Sequence, residues 1–482
     1  MKKILLILLA LALVATTACT SGEGADTADT TDTATETDPP APTEPPYTLE
    51  EAEDITQKHR GVAQDAFAAC APCPAEELTF EVTDGGVCIT GYKGNDVTVV
   101  IPSEINGAQV VKIADGAFKS LTTLRALCIP DTVTSVGFGA FDGCAGLVTL
   151  KLPYSAAIYE IHNKDGEKNS DGFFGYIFGA EDYKLNAAKI PFKLETVIFT
   201  GDGTTVPAGA FYDCNDVKAV TLPPVSEIGD LAFALCSSLE YVDIGNSVSK
   251  VGKLAFNECT SLVELTIPAS TKEIGLGAIQ GCGSLTSLTL PFVGGSEDEN
   301  TYLGYIFGAE SYTMSGGFFP ISLQKITLLE SCRSIGNNAF NGFLTLREII
   351  IPEGVVSIGL RAFRNCKGLK AISLPDSLVS IGDSAFIGCE SLTEVRFGKS
   401  LAQMGMQAFM HCASLTGVSL PDSLTKIPAS AFDSCTALKS VSLGKGVTEI
   451  GKNAFRGCDS ITALPTIPEN AAVMDGNTAI TK

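Results

Sequence analysis

An alanine–phenylalanine pair recurs along this chain with a period that few architectures can produce. The phenylalanines stand at 118, 141, 211, 233, 256, 340, 363, 386, 409, 432 and 455, and Gly277-Ala278-Ile279 fills one further place. Steps of 22 or 23 residues separate neighbours, apart from the two long steps from 141 to 211 and from 279 to 340. A fixed period of this length signals a stack of like units rather than a globule around one central core. The long steps read as insertions, because the period resumes after each.

Around each pair the wording is nearly constant, as in IGLRAFRNCKGLKAISLPDSLVS (358–380) and IGDSAFIGCESLTEVRFGKSLAQ (381–403). The unit is Ile-Gly-x-x-Ala-Phe-x-x-Cys-x-x-Leu-x-x-Val/Ile-x-Leu-Pro. Its Leu-x-x-Ile-x-Leu part predicts a short strand with apolar residues inward, ended by proline or glycine. Its Ala-Phe-x-x-Cys part predicts a compact helical or 3-10 return segment packed on that strand. One unit cannot bury its own apolar face, so units must stack, with strands pairing in parallel about 4.8 Å apart. The expected fold is a β-solenoid, an α/β leucine-rich-repeat ladder of about twelve coils over residues 80–467.

These repeats resemble the BspA-like leucine-rich repeat family of bacterial surface proteins, and the segment 80–118 looks like that family's first coil. The resemblance implies a curved or gently twisted solenoid. It also implies a role as adhesin, surface antigen or binder of host proteins, with no catalytic site. The two insertions, near 155–195 and 293–325, share the wording GYIFGAEDY (175–183) and GYIFGAESY (304–312). Duplicated wording predicts one structural solution used twice, an enlarged coil with Phe178 or Phe307 plugging the core. The protruding parts, 155–174 and 293–303, are candidate recognition loops, since loops leaving a rigid scaffold often carry binding.

Ten of the 16 cysteines share one repeat slot: Cys144, Cys214, Cys236, Cys259, Cys282, Cys366, Cys389, Cys412, Cys435 and Cys458. Leu121 and Phe343 occupy the same slot in two coils, so the slot is apolar and a column of buried, unpaired thiols is expected. A metal or redox column would need close-spaced His or Cys partners, which the slot lacks. Cys128 falls on an outward strand position and Cys332 on an apolar one. Cys70 and Cys73 form a lone CxxC outside the repeat, without the βαβ context of a redox motif. They are read as a local disulfide, with Cys88 as an alternative partner, in an N-terminal cap spanning 47–79. That cap holds a helix expected over 48–69, with Val62, Ala66 and Phe67 on its packed face over the first coil.

The N-terminus has the layout of an export signal over 1–18, with Lys2 and Lys3 before an apolar run too short to span a bilayer. Ala15-Thr16-Thr17-Ala18-Cys19 resembles a bacterial lipobox, with Thr16 where leucine is usual, and makes Cys19 the expected lipidation site. Residues 19–46 lack basic side chains and are almost free of apolar ones, so they are read as an extended, disordered tether. The last segment, 468–482, reads as a plain C-terminal tail.

The net charge is −22, and the residues after position 57 still hold 31 basic against 44 acidic side chains. An acidic surface argues against nucleic acid as a partner and leaves the N-terminal lipid as the sole expected membrane contact. The three histidines, His59, His162 and His411, are not at ligand spacing, and no metalloprotease, nucleotide-loop, nucleophile-elbow or EF-hand motif occurs. Neither a cofactor nor catalysis is expected.

What stays free for function is the outward strand row just before the last apolar residue: Lys151, Thr221, Asp243, Thr266, Thr289, Thr327, Ile350, Ser373, Arg396, Ser419 and Ser442. Hydroxyls dominate it, as suits a solvated parallel sheet. The expected function is a surface-displayed, non-enzymatic module for protein binding and adhesion. The alternatives are a structural envelope component without a specific ligand, and a glycan-binding or enzymatic accessory protein using the inserted loops.

Overall fold

Each repeat contributes two short strands where one was expected. In the coil at 371–381, Ala371–Ser373 joins a first parallel ladder and Ser380–Ile381 a second, narrower one. The proline turn between them redirects the chain, and the isoleucine of the Ile-Gly pair with the residue before it forms the second strand before the return. The computed structural model describes residues 46–157, 161–162, 168–169, 172–463 and 465–481. Cys19, the leader and the tether up to residue 45 lie outside the described residues, as do parts of the 155–174 loop.

The first ladder runs through Thr98–Val100, Ala126–Cys128, Thr149–Pro153, Thr196–Thr200, Ala219–Thr221 and Tyr241–Asp243. It continues through Glu264–Thr266, Ser287–Leu290, Lys325–Leu328 and Glu348–Ile350, then Ala371–Ser373, Glu394–Arg396, Gly417–Ser419 and Ser440–Ser442. Its register is strict: Leu288 pairs with Ile326, and Ile326 with Ile349. The middle residue of every triplet therefore points inward, and the inward column is buried. The solenoid makes about 16 turns, more than the Ala-Phe pairs alone indicate, because several turns are built from other wording.

The insertions supply some of those turns. Phe174–Phe178 and Leu303–Phe307 are 3-10 helices that occupy a return slot. Phe141 N–H bonds Ile177 O at 2.9 Å, and Phe174 N–H bonds Ala210 O at 2.9 Å, so the stack passes through the insert without a break. Ile279 to Ile306 (3.0 Å) and Leu303 to Ala339 (2.8 Å) repeat the arrangement. Phe178 and Phe307 are fully buried, as core plugs should be.

Ordinary returns are not helices, which corrects the expected form. They are hydrogen-bonded turns laddered from coil to coil, as in Phe363 N–H to Ala385 O and Phe386 N–H to Ala408 O, both 2.7 Å. A left-handed residue such as Arg361 (φ 54°) or His411 (φ 61°) breaks each helical run. The stacked phenylalanines follow: Phe363–Phe386 and Phe386–Phe409 rings are 4.9 Å apart and within 4° of parallel.

The final segment is a coil, not a tail. Ala472–Val473 pairs with Glu449–Ile450, and Ala479 and Ile480 are buried. Asn477 ends the ladder: its Oδ1 accepts Phe455 N–H at 3.1 Å, in the place a carbonyl of a further coil would take. Its Nδ2 donates to Gly451 O and Met474 O.

The helix, here α1, spans Leu49–Asp65, and Thr48 and Glu51 close a capping box at its start. Its position corrects the expected cap. It packs not on the first coil but against the first ladder at Tyr241–Asp243 and Glu264–Thr266. Its buried face is Ala52, Thr56 and His59, while Val62 is exposed. The packed face is largely polar, because the sheet surface it meets is polar.

Candidate binding face

The outward row runs in register within each of three successive sheets. Lys151 pairs with Ile198 and Ile198 with Thr221, Thr221 pairs with Asp243, Thr266 with Thr289, and Thr289 with Thr327. Thr327 pairs with Ile350, Ser373 with Arg396, and Ser419 with Ser442. Ile198 belongs to the row although the sequence reading passed over it, since the insertion hid its phase.

The two halves of the row differ in cover. In the first half Asp243 and Thr266 are exposed, whereas Ile198 is buried and Lys151 and Thr221 are half-buried, with Thr196, Ala219 and Tyr241 of the neighbouring outward row buried too. α1 accounts for part of this: His59 Nε2 lies 2.8 Å from Glu240 Oε2, and the Arg60 guanidinium sits 5.9 Å from the Tyr241 ring centre. The Arg60 cation is strengthened first by its bond to Tyr241 and also by Glu264 and Asp243, against burial. A cleft of about 230 Å³ remains beside Thr56, Arg60, Tyr241, Asp243 and Glu264. From Ile350 onward, by contrast, Ile350, Ser373, Arg396, Ser419 and Ser442 are all exposed. Thr289 and Thr327 are half-buried.

Across the second ladder and between neighbouring coils, Lys250–Glu273 (3.3 Å) and Lys426–Glu449 (2.9 Å) form exposed ion pairs that contribute little to stability. His411 is exposed, whereas His59 is buried against the sheet. No group of His, Cys, Asp and Glu that could hold a metal ion occurs among the described residues.

The cysteine column is buried and unpaired, and its geometry supplies a reason for cysteine that an apolar slot alone did not. Every column thiol but Cys214 donates to the carbonyl of the phenylalanine one coil earlier, as in Cys259 to Phe233 (3.1 Å), Cys389 to Phe363 (3.1 Å) and Cys458 to Phe432 (3.1 Å). Leu121 opens the stack and Phe343 follows an insertion, so no Ala-Phe return precedes either of them. Cys214 also follows an insertion and keeps its thiol, beside Cys236. Burial pushes Cys144 up to about 11 and Cys282 and Cys389 up to about 12.

Cys70 and Cys73 are both free thiols, Cys70 exposed and Cys73 buried. Cys88 lies on Gly86–Tyr92, in a different sheet from the strand that Cys73 meets. Cys128 takes the outward place read from the sequence, and Cys332 is buried.

No helix among the described residues is long and apolar enough to cross a membrane. A comparison with curated proteins returned no match. Among solved structures, the chain is similar to a leucine-rich repeat protein of Bacteroides ovatus, with 22% identity over 82% of this chain and 94% of that one, and a TM-score of 0.33. A leucine-rich cell surface protein of Faecalibacterium prausnitzii is 21% identical over 85% and 97% of the two chains, with a TM-score of 0.30. The family model of a BspA type leucine-rich repeat region matches residues 99–164, 189–297, 314–400 and 357–478. With well over half of its length matched by that model, the chain belongs to the BspA-type leucine-rich repeat family.

Proposed function

We propose that this chain is a non-enzymatic module for protein binding and adhesion, displayed outside a bacterial cell by a lipid on Cys19. Its contact surface is the uncovered part of the first ladder. The observation that carries this reading is the row Ile350, Ser373, Arg396, Ser419 and Ser442, exposed side chains on successive parallel strands, with Ser373 in register with Arg396 and Ser419 with Ser442. A fixed row of hydroxyls around one guanidinium offers donors and acceptors that need no ordering on contact, which favours a folded protein partner. Family membership supports the same reading, since the relative from Faecalibacterium prausnitzii is described as a cell surface protein.

The test is capture of host matrix proteins and neighbouring-cell proteins by the full chain. Arg396→Glu with Ser419→Arg should lower binding at least tenfold, and deletion of 293–303 should leave it unchanged. Loss of binding on loop deletion would move the site to the insertions. A chain that binds none of these proteins would be a structural envelope component instead.

A further inference from the structure

The side on which each N-terminal cysteine lies redirects the disulfide. Cys73 N–H bonds Val100 O at 2.8 Å, just as Ile101 N–H bonds Cys128 O (2.9 Å) and Ile129 N–H bonds Lys151 O (2.8 Å). Cys73 thus extends the inward column of Ile101 and Ile129, and all three are buried. Pro72 takes the outward place beside Val100, and Cys70, two residues before it on the way from α1, is exposed. Cys128 is in register with Val100 and is the outward residue of its own strand, one ladder step away.

The course of the chain points the same way. α1 is docked over Tyr241–Asp243 and Glu264–Thr266, whereas Cys73 joins the ladder beyond Thr98–Val100. The residues between must cross the outward side of the intervening strands, where Thr196, Ile198 and Ala219 are covered. Burial pushes the Cys128 thiol up, and Asp131 and Cys70 add to this against Lys151, so Cys70 is close enough for its charge to be felt.

We propose that Cys70 and Cys128 form a disulfide that staples the segment after α1 to the outward face of the first ladder. The oxidant is a small-molecule disulfide such as cystine. The exposed Cys70 thiolate attacks one cystine sulfur and expels one cysteine thiolate. The Cys128 thiolate then attacks Cys70 Sγ of the mixed disulfide and expels the second. One disulfide is consumed and one formed, and the two protein protons leave with two free cysteines. Only the place where the oxidant is met rests on the reading of an exported chain; the pairing itself is tested on purified protein.

The reduced full chain is treated with cystine under native conditions, alkylated and mapped by mass spectrometry without reductant. A peptide containing Cys70 linked to one containing Cys128 is expected, and the same link should persist in Cys73→Ala. In Cys128→Ser, Cys70 should instead carry a single cysteine adduct. A Cys70–Cys73 bond, or cysteine adducts on both Cys70 and Cys128 of the native chain, would overturn the proposal.

Discussion

Alkaline pH should unfold this solenoid through its thiol column. In the unfolded chain each thiol ionises near its usual value of about 9, whereas Cys144 is held at about 11 and Cys282 and Cys389 at about 12. The folded values are raised, so the stability that burial of the neutral thiol gives is fully present below pH 9. It is lost as pH rises from 9 towards 12, because only the unfolded state releases the proton. One unit of difference is worth roughly 1.4 kcal/mol, so at pH 10.5 each of the three thiols costs about 2 kcal/mol, and together about 6 kcal/mol. That is a large part of an ordinary domain's stability.

Urea unfolding followed by circular dichroism, in reductant at pH 8.0 and 10.5, measures the loss. Tyrosines and lysines titrate in the same range, so the discriminating measurement is the double variant Cys282→Ala, Cys389→Ala. It should be less stable than the parent at pH 8.0 yet lose about 4 kcal/mol less on going to pH 10.5. Equal losses in parent and variant, or native-state alkylation of the column at pH 8.0, would refute the reasoning.

Asn477→Ala should remove three hydrogen bonds at the last coil, costing about 2–3 kcal/mol, and hydrogen exchange at the Phe455 amide should accelerate while earlier coils stay protected. Phe386→Ala opens a cavity between two stacked rings and should cost about 3–5 kcal/mol in urea unfolding. His59→Ala with Arg60→Ala removes the polar anchors of α1, so limited proteolysis within 49–65 should speed up with the solenoid left intact. Cys19→Ser should move the protein from the membrane fraction to the soluble fraction of the producing cell, and retention at the membrane would mean a different anchor.

The repeat period made the solenoid, its inward columns and the buried cysteines legible from sequence, because each is a consequence of local wording repeated at one spacing. The row of Ser373, Arg396, Ser419 and Ser442 was legible for the same reason: in a strand, side follows from parity. The second ladder was not, since two-residue strands such as Ser380–Ile381 leave no alternation to read.

The rest depended on contacts between distant parts of the chain. The thiol bond from Cys389 to Phe363 O crosses from one coil to the next, so no single repeat could reveal why the slot prefers cysteine to leucine. α1 was expected as a helix over 48–69, yet its packed face is Ala52, Thr56 and His59. A polar stripe of that kind carries no hydrophobic periodicity, and only the docking surface at Glu240 and Tyr241 defines it. The fold was thus determined by sequence because it repeats locally, while the choice of which half of the outward face stays open was decided by tertiary structure. Part of that choice rests on one helix lying against strands about 180 residues away in the chain.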